Sequence, residues 1–324
     1  MIRRREFIAG LAGAAAWPVV ARAQQQAVPV VGWLRAGELP TAEYLAACRQ
    51  GLNELGYIEG RNVKIELRNS ELYDRLPDLA SEFVRRPVTA VFADNLAAAV
   101  AARAATGTIP IVFAIGGDPI RDGLVTSLSR PTGNLTGVAF FVGELLSKRL
   151  ALLRELVPKA DLVAVLLNPT NPNLQTRLQD MQAAARTMGL QLFSVNASNE
   201  SDIDTAFAAV VRAGAAALLV VDDPFLGSHR GQIVALAARH ALPTSYFNSQ
   251  FVRDGGLMGY SDDRSESIRH VGHYVGRIIK GEKPADLPVM QPTKYELIIN
   301  LKTAKALGLT IPETLLATAD EVIQ

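Results

Sequence analysis

The chain has 324 residues, 49% of them hydrophobic and 20% charged, with a formal net charge of +1. That length exceeds one comfortable core and points to two lobes. Beyond the N-terminal Arg3-Arg4-Arg5, Lys and Arg are scattered, with only paired basics such as Arg85-Arg86 recurring, which argues against the electrostatic footprint of a nucleic-acid partner; the single Cys48 excludes an intramolecular disulfide.

At the start, Arg4-Arg5-Glu6-Phe7-Ile8 precedes an uncharged run over 9–20 and then Ala21-Arg22-Ala23. Basic, apolar and small-x-small segments in that order read as a secretory signal peptide of the twin-arginine type over 1–23, cleaved before Gln24. The run over 7–20 carries Pro18 and falls short of the roughly 20 apolar residues a spanning helix needs. No cysteine near residue 23 offers a lipid acceptor. Removing four arginines and one glutamate with this segment leaves 29 basic and 31 acidic residues. No later apolar stretch is long enough to cross a bilayer, so a protein soluble in the periplasm is expected.

From residue 28 onward, short β-branched runs alternate with longer alanine-rich helical patterns. This predicts an α/β fold of parallel sheets covered by helices. In the first half, strands are predicted at 28–34, 63–68, 88–93, 109–115 and 135–141, with helices at 42–55, 76–86, 96–105 and 120–129. Cys48, at helical spacing with Leu45 and Leu52, faces the core. The second half repeats the scheme. Strands are predicted at 163–167, 191–195, 217–221, 244–246 and 257–260, and helices at 174–188, 203–213, 231–240 and 266–280. Residues 281–284 read as a turn and 295–300 as a late strand. Two successive β/α sets predict two Rossmann-like, doubly wound lobes joined by a hinge and facing each other across a cleft. The first crossing falls near Phe140 to Glu144. One lobe takes 27–140 plus about 262–285, the other 141–261 plus about 286–324.

Ligands of open α/β sheets collect at the carboxyl ends of strands, where helix N-termini point outward. That rule selects Trp33, Arg35, Asp94, Asn95, Gly116 and Asp118 in the first lobe. In the second it selects Asn168, Asn171, Asp222, Asp223, Phe225 and Tyr246, with Tyr260 beside them. Free N–H groups at the helix starts after Asn95 and Asn171 suit a ligand carboxylate, and Asp222 or Asp223 suits an ammonium. Trp33, Phe113, Phe225, Tyr246 and Tyr260 suit an aromatic subsite. The structural alternatives are as definite: Asn95, Asp118 and Asn171 are good helix caps, and an aromatic inside a strand is mostly packing. His270 and His273 share a helix face without a third ligand and read as a surface pair. The sequence has no GxSxG elbow, Walker A loop, HExxH or GxGxxG after the first strand, so no catalytic residue, metal or cofactor is expected.

Several runs then match a known pattern in consistent order: GLNELGYIEGRNV at 51–63, YDRLP at 73–77, TIPIVF at 108–113, GNLTGV at 133–138, KRLALLRELVP at 148–158, and GEKPADLPV at 281–289 through LGL at 307–309. Over essentially all of 28–322 the chain resembles the ABC-transporter substrate-binding family that includes the tryptophan- and tyrosine-binding lipoproteins. The resemblance implies a periplasmic-binding-protein fold of the first type, with three crossings between lobes that close on an amino acid or aromatic solute. It also implies delivery to an inner-membrane ABC permease by a monomer without enzymatic activity. Asp94-Asn95-Leu96, Arg35-Ala36-Gly37 and Gly227-Ser228-His229 depart from the family's usual residues, and Arg35 is placed to offer a bidentate anion contact. The alternatives are a periplasmic α/β enzyme with a cofactor and a sensory module that presents its ligand to a receptor.

Overall fold

A computed structural model describes residues 28–324 other than 87 and 173. The segment read as a signal peptide lies outside the described residues.

Five strands, β1 (Val30–Ala36), β2 (Lys64–Ser70), β3 (Ala90–Asp94), β4 (Ile111–Ile115) and β5 (Leu135–Ala139), form one sheet in the order β2-β1-β3-β4-β5. Every pairing in it is parallel, and the register sets Arg35 opposite Asp94. Strands β3, β4 and the edge strand β5 are buried along their whole length, as a sheet covered on both faces requires. The covering helices are α1 (Ala42–Asn53), α2 (Leu76–Arg85) and α3 (Leu96–Ala105).

A second sheet follows α4 (Val142–Leu156). Its strands are β6 (Leu162–Leu167), β7 (Gln191–Asn196), β8 (Ala217–Val220), β9 (Thr244–Tyr246), β10 (Met258–Asp262), β11 (Tyr295–Asn300) and β12 (Glu321–Ile323). They run in the order β12-β11-β10-β9-β8-β6-β7, parallel except where β10 meets β11. Between them lie α5 (Leu174–Thr187), α6 (Glu200–Ala213), α7 (Pro224–Ser228), α8 (Arg230–Arg239), α9 (Ser249–Arg253), α10 (Arg264–Ile279), α11 (Leu301–Ala306) and α12 (Glu313–Thr318).

Two helices exchange sides. Helix α4 leaves the first sheet after β5 and packs on β8, β9 and β10, whereas α10 leaves the second sheet after β10 and packs on α1, β3, β4 and β5. After α10, the segment around Val289 and Met290 runs beside β5: Met290 donates to the Gly137 carbonyl at 2.9 Å and accepts from Ala139 at 2.9 Å.

The α1/α10 crossing depends on glycine. A Cβ on Gly272 would lie 2.1 Å from the Cys48 carbonyl oxygen, and one on Gly51 would lie 1.9 Å from the Arg269 carbonyl oxygen. Both obstacles are backbone, so the helices approach this closely only without those side chains. Cys48 sits in this seam and is buried.

One expected element does not form: residues 120–129 are a turn, not a helix. The Asp118 carboxylate accepts from the Ile120 N–H at 2.8 Å, and Gly123 takes φ +69°. The Leu124 and Val125 N–H groups both bond back to the Pro119 carbonyl, so local side-chain and turn bonds outcompete the helical ladder. Helix α4 has the converse history, since the strand expected over 135–141 ends at Ala139 and Phe141 takes a left-handed conformation at φ 49° before the helix begins.

Candidate functional site

The carboxyl ends of both sheets face one cavity of about 280 Å³. From the first sheet, Arg35, Asp94, Asn95 and Gly116 line it, joined by Tyr44 and Tyr73; from the second come Asn171, Arg177, Asp222, Asp223 and Phe247, with Arg264 at the crossing.

On the first wall, register brings Arg35 and Asp94 into an ion pair. Asp94 is 5% exposed and also accepts from the Trp33 indole Nε1 at 3.3 Å and the Tyr44 hydroxyl at 3.3 Å. Arg35 Nε donates to the Glu38 carbonyl at 2.8 Å, and its guanidinium lies 5.4 Å from the Tyr44 ring centroid. Burial, and next the Asp94 charge, push the Tyr44 phenol above its ordinary range, so it acts as a neutral donor. Asn95 caps α3 by accepting from the Ala98 N–H at 2.9 Å, at φ 125°. A non-glycine residue in that region carries backbone strain, which functional loops often concentrate.

Asp223 is the hub of the second wall. Its Oδ1 accepts from the Phe225 N–H at 2.9 Å, the Leu226 N–H at 3.2 Å and Asn168 Nδ2 at 3.1 Å; its Oδ2 accepts from Asn171 Nδ2 at 2.7 Å and the Tyr73 hydroxyl at 2.8 Å. A carboxylate offers about four lone-pair sites, so these neutral donors fully engage it. A cationic group could reach Asp223 only by displacing one of them. Tyr73 is the donor that comes from the facing sheet. Burial and then the Asp223 charge keep the Tyr73 phenol protonated by pushing it up.

Arg264 joins Asp222 at 3.0 Å and Asp262 at 2.9 Å, with its guanidinium 4.0 Å from the Phe140 ring centroid. Burial raises the Asp262 carboxyl, opposed by Arg264. Arg177, one turn into α5, donates to the Asp222 carbonyl. Across the mouth, Arg230 bonds Glu38 at 2.7 Å and Asp254 at 2.8 Å, and Arg121 lies 3.6 Å from Asp180.

Seven of the residues selected from sequence line the cavity: Arg35, Asp94, Asn95, Gly116, Asn171, Asp222 and Asp223. Six do not. Trp33 is wholly buried because β1 runs on to Ala36, leaving the indole to orient Asp94 from below. Asn168, 3% exposed, holds Asp223 from behind. Asp118 closes its own turn. Phe225 packs 4.3 Å from the His229 ring, and Tyr246 stacks on Phe251 at 4.8 Å in the core of the second sheet. Tyr260 stacks with Tyr295 at 6.1 Å beside a separate hollow.

The residues missed have a readable cause. Strand β10 extends two residues past the predicted 260, so its carboxyl end is Asp262 and the next helix opens with Arg264. The end of β2, which leads to Tyr73, was a strand end like the others. Arg177 and Tyr44 sit inside helices and had no local signal.

The family described as ABC transporter substrate binding protein matches residues 42–323. A tyrosine-binding protein of Clostridioides difficile is 27% identical over 263 residues, 80% of this chain and 75% of that protein. The crystal structure of a conserved domain protein from Vibrio cholerae superposes with a TM-score of 0.83 at 26% identity, over 91% of this chain and 99% of that one. An ABC domain from Streptococcus pneumonia in complex with L-Trp gives a TM-score of 0.82 at 26% identity, with the same coverages. These neighbours have the type I periplasmic-binding-protein fold, and among the described residues no helix is long and apolar enough to cross a membrane. The chain belongs to the family of ABC transporter substrate-binding proteins, and is a binding protein rather than an enzyme.

Proposed function

We propose that this protein is the solute receptor of an ABC uptake system, taking an amino acid or aromatic compound into the cleft by hinge closure and handing it to an inner-membrane permease as a monomer. The observation that carries this reading is the cavity lined from both sheets, with Tyr73 of one bonded to Asp223 of the other. The lobes would be 27–140 plus 262–285 and 141–261 plus 286–324, with the run to Met290 beside β5 moving the last crossing a few residues later. The twin-arginine-type pattern read at 1–23 supports work outside the cytoplasmic membrane. The relatives named for tyrosine and solved with L-Trp support an aromatic amino acid as first candidate. Arg35, Asp94, Asn95, Gly116, Asn171, Asp222 and Asp223 are the proposed contacts, with Tyr44, Tyr73 and Phe247 as ring surfaces.

A ligand that binds the native state raises its melting temperature by mass action, by about 2.7 kcal/mol of stability at a hundredfold excess over Kd. Thermal shift against L-tyrosine, L-tryptophan, the other amino acids and aromatic acids is the test. A panel with no shift, in protein freed of copurified solute by unfolding and refolding, sinks the reading.

A further inference from the structure

We propose that Arg177 is the anion anchor of the cleft, so that the solute carries a carboxylate and docks it on this guanidinium. The inference rests on the cleft being the solute site.

Among the described residues five arginines line the cavity: Arg35, Arg177, Arg230, Arg253 and Arg264. Four have carboxylate partners: Arg35 with Asp94, Arg230 with Glu38, Arg253 with Glu321, and Arg264 with Asp222. Among the described residues Arg177 has no such ion pair, although it is only 7% exposed. Among the described residues its one bond, from Nη1 to the Asp222 carbonyl, uses one of five donors. A guanidinium this far out of water is stabilised by an anion, and its planar fork, open on the cavity, matches a carboxylate bidentately.

A second cation reinforces the site from behind. Arg149 on α4 is 1% exposed, and its Nε, Nη1 and Nη2 have no protein partner among the described residues. Burial pulls it down to about 9, with Asp222 opposing and Arg177 adding to the fall. Two guanidiniums thus share the neighbourhood of one carboxylate that Arg264 already holds. Arg35, the arginine that sequence favoured for this role, is committed to Asp94 and to the Glu38 carbonyl.

The test uses the full chain as wild type, Arg177→Met and Arg177→Lys. Melting is compared in sodium acetate and sodium chloride at equal ionic strength, and calorimetry follows with L-tyrosine against tyramine and L-tryptophan against tryptamine. Acetate raises the melting temperature of wild type and of Arg177→Lys, but not of Arg177→Met. The carboxylate-bearing member of a pair binds wild type about 10- to 100-fold more tightly than its decarboxylated partner, and Arg177→Met abolishes that preference. Acetate response with no amino acid bound leaves the anchor standing and refutes only the aromatic amino-acid reading. Equal melting in acetate and chloride for wild type overturns the anchor and assigns Arg177 to Asp122, whose carboxyl it already influences from the facing sheet. A carboxylate preference that survives in Arg177→Met overturns it as well.

Discussion

Tyr73→Phe removes one hydroxyl and keeps the ring. That hydroxyl donates at 2.8 Å to Asp223, a carboxylate 150 residues away and 1% exposed. Hydrogen bonds to charged groups contribute about 1.5–3 kcal/mol. Asp223 keeps four other donors, two backbone N–H groups and two asparagine amides, so the variant leaves no buried charge orphaned and the lower end of that range applies. A loss of about 1.5–2 kcal/mol lowers the closed-to-open ratio about 10- to 30-fold. By contrast, the Glu38–Arg230 pair has side chains 41% and 28% exposed, and such pairs contribute about 1 kcal/mol or less. Dyes on exposed positions of α2 and α6, attached through engineered cysteines, report the lobe separation by energy transfer, since Cys48 is buried and will not compete. Tyr73→Phe should populate the longer distance where Glu38→Gln barely changes it. Identical distance distributions for wild type and Tyr73→Phe would refute the argument.

Gly272→Ala should lower the melting temperature, because the clash with the Cys48 carbonyl at 2.1 Å is with backbone and outweighs the roughly 1 kcal/mol of helix propensity gained. Gly276→Ala, four residues on, meets only side-chain atoms of Leu55, the rotatable Cδ1 at 2.8 Å and the Cβ at 3.3 Å, and should cost less than Gly272→Ala; equal losses in the two variants would contradict this reading of the seam. Burial, then Asp94, push the Cys48 thiol up to about 12. The native chain therefore keeps a proton that the unfolded chain loses from about pH 8.5 upward. Stability falls as pH rises through that window, by about 1.4 kcal/mol per unit, and urea melts at pH 8 and 10 should show the slope diminish in Cys48→Ala. Arg149→Met should raise stability by about 1–4 kcal/mol, as replacing buried charge with packed apolar surface does; a lower urea midpoint would show that Arg149 is compensated within the fold.

Sequence periodicity located the strands because β3, β4 and β6 are continuous buried apolar runs, and such runs have few alternative uses. The helix expected over 120–129 failed for the opposite reason: Asp118, Pro119 and Gly123 offered local bonds that composition alone does not weigh. The strand-end rule reached Arg35, Asp94, Asn95, Asn171 and Asp223 because cleft loops follow strands directly. It misplaced Tyr246 and Tyr260, whose rings turn into the core or toward Tyr295.

The order of apolar runs, turns and family-like motifs was enough to determine an α/β chain with two sheets and a binding role, because those properties are local or repeat along the chain. Which charges are satisfied is not local. Arg35 meets Asp94 across 59 residues, Tyr73 meets Asp223 across 150, and Arg264 meets Asp222 across 42. Only the tertiary structure decides which arginine keeps its donors free for a ligand, since every arginine reads alike until its partners are folded against it.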